Sequence, residues 1–131
     1  MFFRVVKFLL ASAGLATAAH AGTTPQGQLS DLTAQAGRSP NAALGREFFN
    51  IKHGREWSCA SCHNALPTGE GTHANTGKTI SALAPAFNPR RFTDPAKSEK
   101  WFRRNCNDVL ARECTAAEKA DMLAWLISLK P

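Results

Sequence analysis

The sequence has no apolar run long enough to make a convincing membrane span. Its best candidate, Phe8 to Ala19, is short and rich in alanine. It has no internal repeat, which excludes solenoids and arrays, and no low-complexity tract beyond the first 21 residues. Nowhere do apolar and polar residues alternate with the period of a half-buried strand, so nothing predicts a sheet. No nucleic-acid reading motif accompanies the surplus of basic over acidic residues. Methionine is nearly missing. Of two in the chain, one is the initiator and the other is Met122.

What is present begins with an export signal. Arg4 and Lys7 make a positive start, an apolar stretch follows, and Ala19-His20-Ala21 has the small-x-small form of a signal-peptidase site. Residues 1–21 are therefore expected to be removed, leaving a single domain over 22–131; an uncleaved anchor is the competing reading. Loss of Arg4 and Lys7 lowers the formal charge from +6 to +4, mildly basic and suited to an acidic partner. About 110 residues bury only a thin core.

The pattern after the signal is all-α. Gly22 to Gln28 reads as a flexible leader, and a short helix is expected over 29–36, stopped by Gly37. Ser39-Pro40 reads as an N-cap and N1 proline opening a second helix, with Leu44, Phe48 and Ile51 on one stripe and Gly45 and Phe49 beside it. Residues 64–93 are rich in Gly, Pro, Thr and Asn. They predict a long loop with one helical turn near Ile80 to Leu83. Asp94-Pro95 caps a helix expected to reach Asn105. The capping box Thr115-x-x-Glu118 opens a last helix to about Leu129, with Met122, Trp125, Leu126 and Leu129 as its core stripe.

Cys59-Ala60-Ser61-Cys62-His63 is a C-x-x-C-H motif. Two thiols at this spacing add across the two vinyl groups of haem, and the adjacent His63 then lies beneath the iron as proximal ligand. A zinc site would need two more ligands at matching spacing, and a thioredoxin-like site would need a βαβ context; neither is in the sequence. One covalently bound haem c follows. Wrapping a few hundred Å² of porphyrin contributes on the order of 5–10 kcal/mol to a thin core. His53 and His73 read as polar surface histidines, with His73 kept as a candidate iron ligand because its loop is free to reach.

The remaining cysteines, Cys106 and Cys114, favour a disulfide in an oxidising compartment, two free buried thiols being the alternative. On one straight helix they would stand about 12 Å apart, against a limit of about 7 Å for a disulfide. Pairing would therefore require the chain to reverse between Asn107 and Arg112. The sixth iron ligand is less obvious. Met122 sits mid-helix on the core stripe, where packing accounts for it. Asn105 falls on the apolar face with Trp101 and Phe102, while Asn107 projects to solvent with Arg103 and Arg104. Spacing leaves two roles for the Asn105 carboxamide, a helix C-cap or an iron ligand.

Arg91-Phe92-Thr93-Asp94, Glu99-Lys100-Trp101-Phe102-Arg103-Arg104-Asn105-Cys106, Asp108-Val109-Leu110, Arg112-Glu113-Cys114-Thr115, Glu118-Lys119 and Ala124-Trp125-Leu126 together resemble the sphaeroides haem protein family. With Gly45, Phe49 and the Cys59–His63 motif, the likeness spans most of the exported chain. It implies a class I cytochrome c fold, iron held by His63 and Asn105, and a bridge between Cys106 and Cys114. It also implies transient O₂ binding, reaction with NO, a dihaem cytochrome c as electron donor and a membrane b-type cytochrome behind that donor.

A carboxamide is a hard, neutral and weak ligand that oxidised iron tolerates and reduced iron holds poorly. Release on reduction would open the haem to O₂, NO or CO. Three readings follow: a gas-binding haem protein with oxygenase chemistry on NO or O₂, a periplasmic electron carrier whose sixth ligand stays in place, and a non-catalytic haem module of a larger complex. The basic run Arg90, Arg91, Lys97, Lys100, Arg103 and Arg104 reads either as a steering patch or as an ordinary solvated face.

Overall fold

The capping box at Thr115 forms as the sequence predicts. The Thr115 hydroxyl accepts from the Glu118 N–H and the Glu118 carboxylate accepts from the Thr115 N–H, starting helix α5 (Ala116–Ser128). This is a computed structural model, and it describes residues 23–131; the signal expected over 1–21 and the new terminus at Gly22 lie outside the described residues. Helix α5 is the axis of the fold. Ala120, Met122, Leu123, Trp125 and Leu126 are all buried on it.

Helices α1 (Pro25–Ala36) and α2 (Ala42–Asn50) both pack on α5. Helix α1 begins earlier than expected, so the flexible leader is corrected for residues 25–28. Thr24 caps Gly27 at 3.0 Å and Pro25 takes the N1 position, the same pairing as expected at Ser39-Pro40 and Asp94-Pro95. At α2 the cap moves instead to Asn41, whose side chain accepts from the N–H groups of Ala43 and Leu44. The Asn41 N–H, a donor that Pro40 lacks, is held by Asp121 at 2.7 Å, while Arg38 grips the same buried carboxylate through two nitrogens at 2.7 and 3.0 Å.

The buried face of α2 is also shifted. Leu44 and Ile51 of the expected stripe are exposed at 49% and 47%, and Gly45 and Phe49 face the core. Gly45 decides this. A Cβ there would come within 2.7 Å of the Met122 nitrogen and closer still to the Asp121 carbonyl, so only glycine lets the two helices meet.

After α2 come the short helix α3 (Ala60–His63) and a two-residue antiparallel pair, β1 (Gly71–Thr72) with β2 (Thr79–Ile80). The class remains all-α. The helical turn expected near Ile80 is corrected, since Ile80 pairs across to Gly71. Gly71 lies against the backbone of Cys62 and His63 with no room for a Cβ, which seats the pair on α3.

Helix α4 runs from Pro95 to Leu110, capped by Asp94 and closed by Ala111 at φ 58°. It therefore continues five residues past Asn105, and the C-cap role for that side chain is excluded. Nothing between Asn105 and Leu110 breaks a helix, and the chain turns only at the left-handed Ala111. The turn brings Cys106 and Cys114 together as a cystine with Cα atoms 5.6 Å apart. A second tie joins α4 to α5: the Lys119 ammonium, almost fully buried, contacts both Glu99 oxygens at 2.7 and 2.9 Å.

Candidate haem site

The C-x-x-C-H turn is built locally. The Ser58 N–H donates to the Ser61 hydroxyl at 2.9 Å, and the N–H groups of Cys62 and His63 both donate to the Cys59 carbonyl. One helical turn thus places Cys59, Cys62 and His63 side by side, and Asn64 at φ 65° ends it. Both thiols are free. Burial pushes the Cys59 thiol up to about 11, keeping it protonated. The His63 imidazole is held down at about 4 by burial, then by the nearby charge of Arg91 and by His73, so the ring is neutral and able to ligate a metal. Phe49 lies between it and the core, with ring centroids 6.1 Å from His63 and 5.0 Å from Trp125.

All three residues open on a cavity of about 600 Å³. Its floor is apolar, with Met122 and Leu126 from α5 and Phe102, Cys106 and Val109 from α4. Ile80, Leu83 and Phe92 close it from the loop side. Asn105 lines it too, from α4, so the structure brings Asn105 and His63 to one space from distant parts of the chain. Asn105 is exposed rather than packed in a protein core, which corrects the expectation that its carboxamide is buried. The cavity itself takes the place of the expected core.

The other candidates are sorted by the same geometry. Met122 lines the cavity and is buried in the core cluster, as its stripe position suggests. His73 also lines it, but its Nδ1 accepts from the N–H groups of Asn75 and Thr76. The next residue, Ala74, donates to the Cys62 sulfur at 3.2 Å, so the His73 segment is tied to the attachment turn. His53 does not line the cavity and stays structural, its Nε2 2.8 Å from the Phe48 carbonyl and its ring on Phe48.

Two residues gained importance that sequence reasoning had not assigned to the site. Phe92, at φ 57°, is a bulky residue in the left-handed region, and it turns the chain so that its ring meets Phe102 at 6.1 Å. Arg91 reaches the cavity beside it. In the sequence Arg91 stands in the Arg91–Asp94 segment of the family resemblance and in the basic run, neither of which gives it a place in the cavity.

A prosthetic group fits this donor set. Two thiols, a neutral imidazole and a mostly apolar cavity within the usual size range of cofactor sites match a haem and not a hydrolytic centre. Among the described residues no three or more His, Cys, Asp or Glu side chains cluster as a metal site by themselves.

Comparison with known proteins agrees. Residues 35–126 match a family model described as a domain of unknown function, DUF1924. The chain is 46% identical over 127 residues to the cytochrome c-type protein SHP of Cereibacter sphaeroides, covering 93% of this chain and 98% of that protein. It is 43% identical over 94 residues to cytochrome c'' of Methylophilus methylotrophus, covering 69% and 65% respectively. Among solved structures it is similar to oxidised SHP, described as an oxygen-binding cytochrome c, with TM-score 0.76, 43% identity and coverage of 82% and 98%. The crystal structure of oxidised cytochrome c'' matches with TM-score 0.73, 36% identity and coverage of 82% and 95%. These likenesses extend over the helices and loops that form the cavity, and the chain belongs to the sphaeroides haem protein family as a helical monohaem c-type cytochrome whose cofactor is haem c.

Proposed function

We propose that this protein is a periplasmic gas-binding cytochrome in which Cys59 and Cys62 form the thioether links, His63 is the proximal ligand, and Asn105 is a second ligand that lets go on reduction. The haem supplies an iron that carries one electron and accepts a diatomic gas at an open position. The residues do the rest. Phe49 steadies the imidazole, and the tight turn from Cys59 to His63 sets its place beside both thiols. As a hard, neutral donor the Asn105 carboxamide suits an oxidised iron and is held weakly by a reduced one. Once released, it remains at the cavity as a hydrogen-bond donor for O₂, NO or CO.

One observation carries this reading: Asn105 and the Cys59–His63 turn open on the same cavity. Its relatives support it, since SHP is described as oxygen-binding and the solution structure of cytochrome c'' concerns haem-ligand detachment. The bridge between Cys106 and Cys114 pins the turn of chain just after Asn105. Electrons come from a dihaem cytochrome c, with a membrane b-type cytochrome behind it. Of the basic run, the exposed Lys97, Lys100, Arg103 and Arg104 on α4 steer that acidic partner.

The competing function is an electron carrier whose ligand stays in place, and it has one point in its favour: Met122 also lines the cavity. Absorption spectra separate the two. Addition of CO to the reduced protein shifts the Soret band if Asn105 leaves, and no shift means a permanent sixth ligand. Asn105→Ala should change the oxidised spectrum and leave the reduced one nearly unaltered. An unchanged oxidised spectrum removes Asn105 as a ligand.

A further inference from the structure

Arg91 is a cation set into the wall of a mostly apolar cavity, and among the described residues no carboxylate forms an ion pair with it. Its own loop holds two of its three nitrogens. Nε donates to the Ala82 carbonyl at 2.9 Å and Nη2 to the Ser81 carbonyl at 2.7 Å. Those bonds fix the guanidinium plane and, among the described residues, leave Nη1 uncommitted. Carbonyl oxygens satisfy N–H groups but do not neutralise the charge, and a half-buried cation without a counter-ion is costly. The strain reaches the group itself: burial, and then the charge of neighbouring Arg90, pull it below its usual value. Asp94 lines the same cavity, but its carboxylate is committed to capping α4 through the Lys97 N–H at 3.0 Å.

The geometry points to Arg91 as the anchor of a haem propionate, its free Nη1 edge donating to the carboxylate that enters with the cofactor. This rests on the haem reading and adds to it a residue that would orient the macrocycle within the cavity. Haem brings two carboxylates, and Arg90 and Lys97 also line the cavity. The site therefore has the charge to receive both. The placement also explains the left-handed Phe92. The turn there puts a cation and an aromatic ring on one cavity wall from adjacent positions. Through its bonds to Ser81 and Ala82, Arg91 links the propionate edge to the loop that closes over the haem, so the loop is ordered by the cofactor it covers.

The test uses the haem-loaded protein and its Arg91→Gln, Arg91→Lys and Arg90→Gln variants. Resonance Raman spectra give the propionate bending band, which reports hydrogen bonding to the carboxylates. A spectroelectrochemical titration gives the reduction potential. Arg91→Gln should move the band and lower the potential, because removing a positive charge near the iron favours the oxidised form. Arg91→Lys keeps the charge but loses the planar fork, so the band should still move while most of the potential returns. An unmoved band in Arg91→Gln overturns the proposal, as does a band that moves only in Arg90→Gln. If Arg91→Gln does not accumulate, Arg91→Lys decides, and an unmoved band there overturns it equally. Denaturing mass spectrometry on the same samples keeps the two ideas apart. Loss of the covalent haem mass in the unmodified protein refutes attachment at Cys59 and Cys62, whereas retained haem with an unmoved band refutes only the role of Arg91.

Discussion

Replacing Gly45 by alanine sets two physical effects against each other with opposite signs. Alanine in the middle of an exposed helix is worth about 1 kcal/mol over glycine, so helix propensity alone predicts a more stable protein. Helix α2 is not exposed at that position. The new methyl group would lie 2.7 Å from the Met122 nitrogen and nearer still to the Asp121 carbonyl carbon and oxygen. These are backbone atoms of α5, fixed in its hydrogen-bond ladder, and no side-chain rotation can move them aside. Overpacking of a core costs about 1–3 kcal/mol, and a clash of backbone with backbone belongs at the top of that range. Separating α2 from α5 also loosens Asp121 from the Asn41 N–H, a charge-assisted bond worth about 1.5–3 kcal/mol. After the gain in propensity, the net loss is about 3.5–5 kcal/mol. At about 4–8 °C per kcal/mol for a domain near this size, Tm should fall by roughly 14–40 °C. Thermal unfolding of the haem-loaded protein followed by far-ultraviolet circular dichroism measures it. A Tm equal to that of the parent, or higher, would refute the close approach of the two helices and show that propensity governs the site.

Two further outcomes are expected from the same geometry. Replacing Cys106 and Cys114 together by serine opens a loop of eight residues' separation, and chain entropy puts the loss at about 2–3 kcal/mol; urea unfolding should show this loss, and a parent protein that loses nothing when treated with a reductant would argue against the bridge. The contribution of the paired carboxylates to stability should be level from pH 7 down to about 5 and decline below about 4. Burial acts to raise the Asp121 carboxyl, but the Arg38 guanidinium and the Asn41 N–H overcome it and hold the group below its usual value; the Arg112 guanidinium does the same for Glu118. A depressed carboxyl stabilises the fold above its unfolded value and loses that contribution as pH falls through the folded one. Asp121→Asn should flatten the acid limb of a plot of unfolding free energy against pH, and an unaltered limb would remove Asp121 from the account.

The parts legible in the chain were those with local causes. A C-x-x-C-H spacing is a statement about neighbours, and its residues stand on one helical turn; the Thr115–Glu118 capping box is another, and it forms as read. The buried positions of α5 were legible because a helix in a core must repeat its apolar residues every three or four positions. Errors arose where a distant partner outweighed the local signal. Leu44 and Ile51 make a good apolar stripe, yet Gly45 faces the core because α5 needs close approach there. Asparagine favours helix ends, which points to a stop at Asn105, but α4 runs on to Leu110. The segment near Ile80 carries no periodic signal that would mark a strand, and its pairing with Gly71 depends on α3 lying beneath.

The chemistry of this protein was written in short-range order. Thiols three residues apart with a histidine beside them can be recognised in any conformation that keeps one helical turn, and so can a helix that carries its own start signal. The cavity was not written that way. Its walls come from residues as far apart as His63, Arg91, Asn105 and Met122, and no spacing along the chain reveals that they share a space. Nor does any spacing show that Arg91 lacks an acidic partner there, since that depends on which charges the fold brings near it. Sequence periodicity reports which face of an element avoids water; what that face meets is settled only when the elements pack.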